Sequence, residues 1–231
     1  MRPRVGWDEG FEEASRRAAA STLAVARRRG LVDVGYAIVD SPVGRLLVAS
    51  TRRGLVRVEF LDGDPDEVLE ELAETISPRI LDDPERTGPA RRQLDAYFEG
   101  RVHRFRTAID WSLAPEGFSR RVLEATAAIP FGSVSTYGDM ARRAGSPRAA
   151  RAAGNALHDN PIPIVVPCHR VVPAGGGVGK YGGQEWRKEY LLRLEGALVG
   201  VGPSGGIGNY GGQEWRKEFL LRLEGAIGTG D

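Results

Sequence analysis

The chain has one cysteine, Cys168, set between a proline and a histidine in the stretch NPIPIVVPCHRVV, residues 160–172. A thiol acts as a nucleophile or metal ligand only as the thiolate, which forms near neutral pH when a base or a positive charge stands close. His169 offers such a base. In an extended segment adjacent side chains point to opposite faces, so His169 reaches the sulfur only at a turn or through a bridging water, and Pro167 favours a bend. The plainer alternative is that a lone cysteine after the apolar run IPIVV is a small buried hydrophobe. The other two histidines, His103 and His158, have no metal-ligand spacing to Cys168, so no metal site is expected. A single cysteine cannot form an internal disulfide, and a reducing compartment keeps it available for chemistry.

The elements that must position this thiol are bounded by composition. A chain of 231 residues, 41% hydrophobic and 27% charged, can bury a core as one large domain or two small ones. No run approaches the roughly eighteen apolar residues of a membrane span. The amino terminus carries acidic residues where a secretory signal needs an apolar core, so a cytoplasmic location is expected. The net charge of +1 is unevenly spread. Residues 61–100 hold twelve acids against four arginines, a net of −8, and residues 118–170 hold seven arginines against three acids, a net of +4. A solvated face and a nucleic-acid surface are both open readings of the basic half.

Along the chain, residues 7–29 read as an Ala-rich helix with Trp7, Phe11, Ala14 and Ala18 at helical spacing, a packing or solvating extension. Three β-patterned runs follow, Tyr36 to Asp40, Arg45 to Ser50 and Leu55 to Leu61. The turn signals SPVG and TRRG between them predict an antiparallel meander. Asp64-Pro65 opens a helix with Val68, Leu69, Leu72 and Ile76 on one face. A second helix, Gly88 to Glu99, is expected after the polar connection SPRILDDPERT.

From Phe118 the pattern is mostly helical. Phe118 to Ile129 reads as a helix stopped by Pro130, and Thr136 to Ala144 as a second ending at Gly145. Ser146-Pro147 supplies a cap and a first-turn proline for a third, PRAARAAGNAL. The last two, joined by a tight turn, form a helix-turn-helix candidate. The third helix is made of small residues, Ala149, Ala150, Ala152, Ala153, Gly154 and Ala156, beside Arg148 and Arg151. It lacks the Asn, Gln and Arg array of a major-groove reader, so either its backbone approaches a ligand closely or it packs tightly on its neighbours.

Taken together, IPIVVPCHRV with Asn160-Pro161 before it, the upstream IPFGSVSTYGDMA, the RAAGNAL helix and the downstream GGGVGKYGGQEWRKEYLLRLEG resemble the 6-O-alkylguanine-DNA alkyltransferases, the methylated-DNA–protein-cysteine methyltransferases. The match spans about residues 118–196 and continues more weakly through the sheet region. The resemblance implies an α+β fold, with a small antiparallel-sheet amino-terminal domain followed by a mainly helical, winged-helix-like (helix-turn-helix) alkyltransferase domain. The corresponding organisation is a helical extension at 1–30, an α+β domain at 31–110, the active-site domain at 111–198 and a duplicated segment at 199–231.

The resemblance also implies roles. Cys168 would take the alkyl group from the 6-oxygen of guanine in one in-line displacement without a cofactor, and the stable thioether would consume the protein. His169 would be the water-bridged base, Glu195 would orient it, Tyr137 would protonate the departing guanine, and Asn160 would stabilise the active-site turn. The expected partner is double-stranded DNA, bound through the minor groove by a monomer, with Arg151 filling the space of a flipped nucleotide. Arg148, Ala150, Gly154, Ser135 and Thr136 would contact the DNA. Tyr181, Gly182, Val171, Lys188 and Leu157 would line the base pocket. Non-transferring relatives that sense the same lesions lack the acceptor cysteine, and a thiol hydrolase would need a water route to a cleavable acyl enzyme.

Two features depart from the pattern. Where some members have a serine after the pocket tyrosine, this chain has Gly182, which leaves only a backbone N–H there. The larger departure is a repeat: residues 178–197, VGKYGGQEWRKEYLLRLEGA, recur at 207–226 as IGNYGGQEWRKEFLLRLEGA, identical at 17 of 20 positions. The spacing from Cys168 favours the first copy, with Tyr181 and Glu195, as the one that docks. The second would then pack elsewhere, pair with another molecule or stay partly disordered.

Overall fold

The computed structural model describes residues 9–197, which belong to one compact unit. Trp7, the side chain of Phe11 and the second copy of the repeat lie outside the described residues. The chain opens with α1 (Glu9–Arg28), whose Arg27 forms a bidentate ion pair with the buried Asp83. The extension is therefore fastened to the sheet region at its carboxy-terminal end.

The strands β1 (Val34–Val39), β2 (Arg45–Ser50) and β3 (Leu55–Leu61) form the expected antiparallel meander. Five consecutive residues of β2, Leu46 to Ser50, are buried, because the sheet is covered on both faces. On one side α2 (Asp66–Thr75) brings Val68, Leu69, Leu72 and Ile76 against Val34, Leu47, Ala49 and Val56. α3 (Pro84–Phe98) packs against β1 and β2.

Two local readings are corrected here. The connection SPRILDDPERT contains a short strand, β4 (Ile80–Asp82), which pairs parallel to β1 and makes the sheet mixed, in the order β3-β2-β1-β4. Three residues are too few to print an alternating pattern. α3 also begins four residues before the expected Gly88: Asp83 accepts a hydrogen bond from Arg86 N at 2.9 Å and Pro84 takes the first helical position.

The carboxy-terminal half holds α4 (Phe118–Ala127), α5 (Tyr137–Arg143) and α6 (Ala150–His158), with α6 packed on both of the others. Thr136 caps α5 through a complete capping box with Asp139. Ser146-Pro147 does not cap α6 as expected. It starts a turn closed by Ala149 N donating to Ser146 O at 2.9 Å, and the helix begins at Ala150. Two short strands, β5 (Ser135–Thr136) and β6 (Val171–Val172), pair in parallel, and α7 (Glu185–Leu194) completes the described chain.

Candidate active site

The loop that delivers Cys168 is closed by Asn160. Its Nδ2 donates to Val166 O at 2.8 Å and its Oδ1 accepts from Ile162 N at 3.1 Å. Inside that loop Ile164 holds φ +72, the one non-glycine residue with positive φ among those described. A β-branched residue in the left-handed region costs about 1–2 kcal/mol, so the surrounding bonds must hold it there. Val58 N of β3 donates to Pro161 O at 3.0 Å and ties the loop to the sheet.

Cys168–Arg170 then form a single 3-10 turn. Successive side chains in such a turn diverge by about 120°, not the 180° of a strand. Cys168 faces a pocket while His169 and Arg170 enter the core, with exposures of 7%, 0% and 5%.

Glu195, just beyond α7, gathers that core. Its Oε1 lies 2.9 Å from His169 Nε2 and accepts from Tyr97 Oη at 2.7 Å, and its Oε2 accepts from Arg170 Nε at 2.8 Å. Burial alone would raise this carboxyl, but the hydrogen bonds from His169 and Arg170 and the fixed charge of Arg170 outweigh it and hold it at about 2. An ionised carboxylate only accepts, so His169 Nε2 carries the proton toward it. Burial also pulls the imidazole below its ordinary value, against the pull of Glu195. The result is a neutral ring whose bare nitrogen is Nδ1, and Nδ1 is buried with no hydrogen-bond partner in the protein.

Cys168 opens into a cavity of about 770 Å³. Tyr181 Oη lies 3.6 Å from Sγ. Burial, then the neighbouring thiol, pushes the Tyr181 phenol well up, and the same two causes raise Tyr137, which also lines the cavity. Lys188 is 1% exposed and donates from Nζ to Val171 O at 2.6 Å. Burial lowers its ammonium to about 8 although Cys168 pulls the other way. α6 contributes Ala150, Arg151, Gly154 and Leu157 to the wall, and the exposed Arg151 stands at the rim. A Cβ on Gly154 would sit 3.7 Å from the Tyr137 ring, an ordinary van der Waals contact, so α6 and the tyrosine are close neighbours without the glycine being sterically required.

The cavity thus brings together Cys168, Tyr137, Asn160, Arg151, Ala150, Gly154, Leu157, Tyr181, Gly182 and Lys188 from the sequence reading. Others are elsewhere. Val171 is fully buried and does not line the cavity, because its β-pairing with Ser135 turns it inward and only its carbonyl serves Lys188. Ser135 is buried in that pairing, the Thr136 hydroxyl is used as the α5 cap, and Arg148 is exposed in the turn before α6, outside the lining.

Sequence reasoning missed Tyr97, Arg170 and the clamp around Arg187. Arg187 is 2% exposed, binds Asp62 with Nη2 to Oδ1 at 2.6 Å, donates from Nε to Val43 O at 3.0 Å and stacks over Phe60 at 4.6 Å. Arg170 follows the PCH motif directly and carried a signal. Tyr97 and Asp62 lie far from the motif in sequence and carried none. Among the described residues no cluster of three His, Cys, Asp or Glu side chains is placed to hold a metal, and no helix is long and apolar enough to cross a membrane.

Comparison with known proteins agrees with this geometry. The model of the 6-O-methylguanine DNA methyltransferase DNA binding domain matches residues 117–197, and that of the ribonuclease-like domain of the same family matches residues 34–111. A methylated-DNA–protein-cysteine methyltransferase of Methanosarcina acetivorans is 42% identical over 164 residues, 70% of this chain and 98% of that protein. The rat protein of the same name is 34% identical, over 71% of this chain and 83% of its own length. The crystal structure of Mycobacterium tuberculosis OGT in complex with DNA superposes with a TM-score of 0.60 at 37% identity, covering 71% of this chain and 93% of that chain. With both of its domains matched and the cysteine loop, pocket and helices in this arrangement, the chain belongs to the 6-O-methylguanine DNA methyltransferase family.

Proposed function

We propose that this methylated-DNA–protein-cysteine methyltransferase repairs DNA by moving a methyl or other alkyl group from the 6-oxygen of guanine to Cys168, once per molecule. The observation that carries the reading is that the only cysteine opens into a pocket whose walls include Arg151 and Gly154 of α6. The Cys168 thiolate forms the sulfur–carbon bond as the carbon–oxygen bond breaks, and the electron pair leaves on guanine. Tyr137, whose raised pKa keeps its proton at neutral pH, donates to the departing base. The thiol proton passes through a water to Nδ1 of His169, and Glu195 stabilises the imidazolium formed. No water route cleaves a thioether, so the reaction stops after one turnover.

Double-stranded DNA is the partner. The small-residue α6 enters the minor groove, Arg151 takes the place of the flipped nucleotide, and the base enters the cavity toward Cys168, at an unstacking cost of a few kcal/mol. The OGT named above is described in complex with DNA, which supports this reading. The protein acts as a cytoplasmic monomer whose domain borders fall near residues 30, 110 and 198. Incubation with DNA carrying 6-O-methylguanine tests the proposal: stoichiometric transfer gives one methyl group on Cys168 per protein. Binding without modification would assign a lesion sensor, and multiple turnover a hydrolase.

A further inference from the structure

The structure assigns work to six side chains of the first repeat copy. Tyr181 reaches Cys168, Gln184 and Arg187 bind Asp62, Lys188 holds the Val171 carbonyl, Leu191 is fully buried and Glu195 meets His169. All six recur 29 residues later as Tyr210, Gln213, Arg216, Lys217, Leu220 and Glu224. The three differences between the copies fall at the half-buried Val178, the exposed Lys180 and Tyr190, whose counterpart Phe219 lacks only the hydroxyl. Apart from that hydroxyl and the Lys180 ammonium at the cavity wall, the contacts that hold 178–197 in its groove are equally available to 207–226.

We propose that the groove holding α7 takes two interchangeable occupants, and that residues 207–226 of the same chain replace 178–197 there in a minor fraction of molecules. Chain length sets the ratio. The first copy is reached from β6 through the eight residues 173–180, the second through the 37 residues 173–209. Loop closure weakens as about the 3/2 power of length, so the second copy docks about tenfold less often. The nine-residue join 198–206 keeps the two copies of one molecule at an effective concentration in the millimolar range. At micromolar protein this outcompetes a copy from another molecule.

Occupancy of the groove is a folding equilibrium that can be read without the reaction at Cys168, so it is tested without alkylated DNA. In the full chain, Leu191→Asp puts a carboxylate in a fully buried position and disables the first copy, and Leu191→Asp/Leu220→Asp disables both. The single variant should remain a folded monomer whose melting temperature falls by about 3–6 °C, the shift expected of a tenfold (about 1.4 kcal/mol) cost. Hydrogen exchange should show protection moving from residues 185–194 to 214–223. The double variant should lose the cooperative transition. Equal damage in single and double variants, or protection of 214–223 only in a dimer, overturns the proposal.

Discussion

Tyr97 of α3 donates from Oη to Glu195 Oε1 at 2.7 Å, joining residues 98 positions apart in a buried pair. The sheet-bearing half of the molecule thereby reaches the carboxylate that orients His169. Tyr97→Phe removes one hydrogen bond to a charged group, worth about 2 kcal/mol, and should lower the melting temperature by roughly 4–8 °C. Alkyl transfer should slow only modestly, because His169 and Arg170 still hold Glu195. Calorimetry and single-turnover kinetics on the same preparation check both effects.

Cys168→Ser should abolish transfer and retain binding to methylated duplex DNA, because the nucleophile and the α6 surface are separate parts of the cavity. Mass spectrometry of the wild-type protein after reaction should place one methyl group on Cys168. A methyl group on any other residue would undo the assignment of the acceptor.

Arg151→Ala should slow repair of duplex DNA far more than reaction with free alkylguanine. Arg151 is exposed at the rim; in the binding mode proposed above it stands in for the extruded base, a service that a free base does not need. Equal losses on both substrates would instead place it in the pocket chemistry.

Stability should fall in acid, with two groups acting in the same direction. His169 has a folded-state pKa below its ordinary 6.5, so below that pH the unfolded chain binds a proton that the folded one refuses. Glu195 is held at about 2 against an ordinary 4.5, so its contribution is full above 4.5 and is lost as pH falls toward 2. Thermal melts between pH 8 and pH 3 should show a first decline below about 6.5 and a steeper one below about 4.5. Replacing His169 by Asn should flatten the first.

Glu195→Gln should slow transfer roughly tenfold, the residual activity coming from chains in which Glu224 occupies the same place. Glu224→Gln alone should leave the rate unchanged, and truncation after Leu198 should preserve transfer. The double glutamine variant should fall further, into the 10²–10⁴ range expected when a general base loses its support. Single-turnover rates of the three full-length variants separate these cases.

Sequence alone determined what is written locally. A lone cysteine beside a histidine, the meander of three β-rich runs parted by turn signals, the amphipathic α2 and the small-residue α6 are each set by neighbours within a few positions, where periodicity and turn chemistry act. Signals too short for a period were misread: β4 has three residues, and the start of α3 rests on Asp83-Pro84 rather than on an apolar pattern. The tertiary structure decided the rest. The 3-10 turn that sends Cys168 to the pocket and His169 to the core depends on Asn160 closing the loop around Ile164. The Tyr97–Glu195 and Asp62–Arg187 pairs span 98 and 125 residues, and Arg170 owes its place to both the Ile129 carbonyl and Glu195. Such partners are chosen by which buried charges must be satisfied once the layers pack, a condition that no stretch of chain expresses by itself.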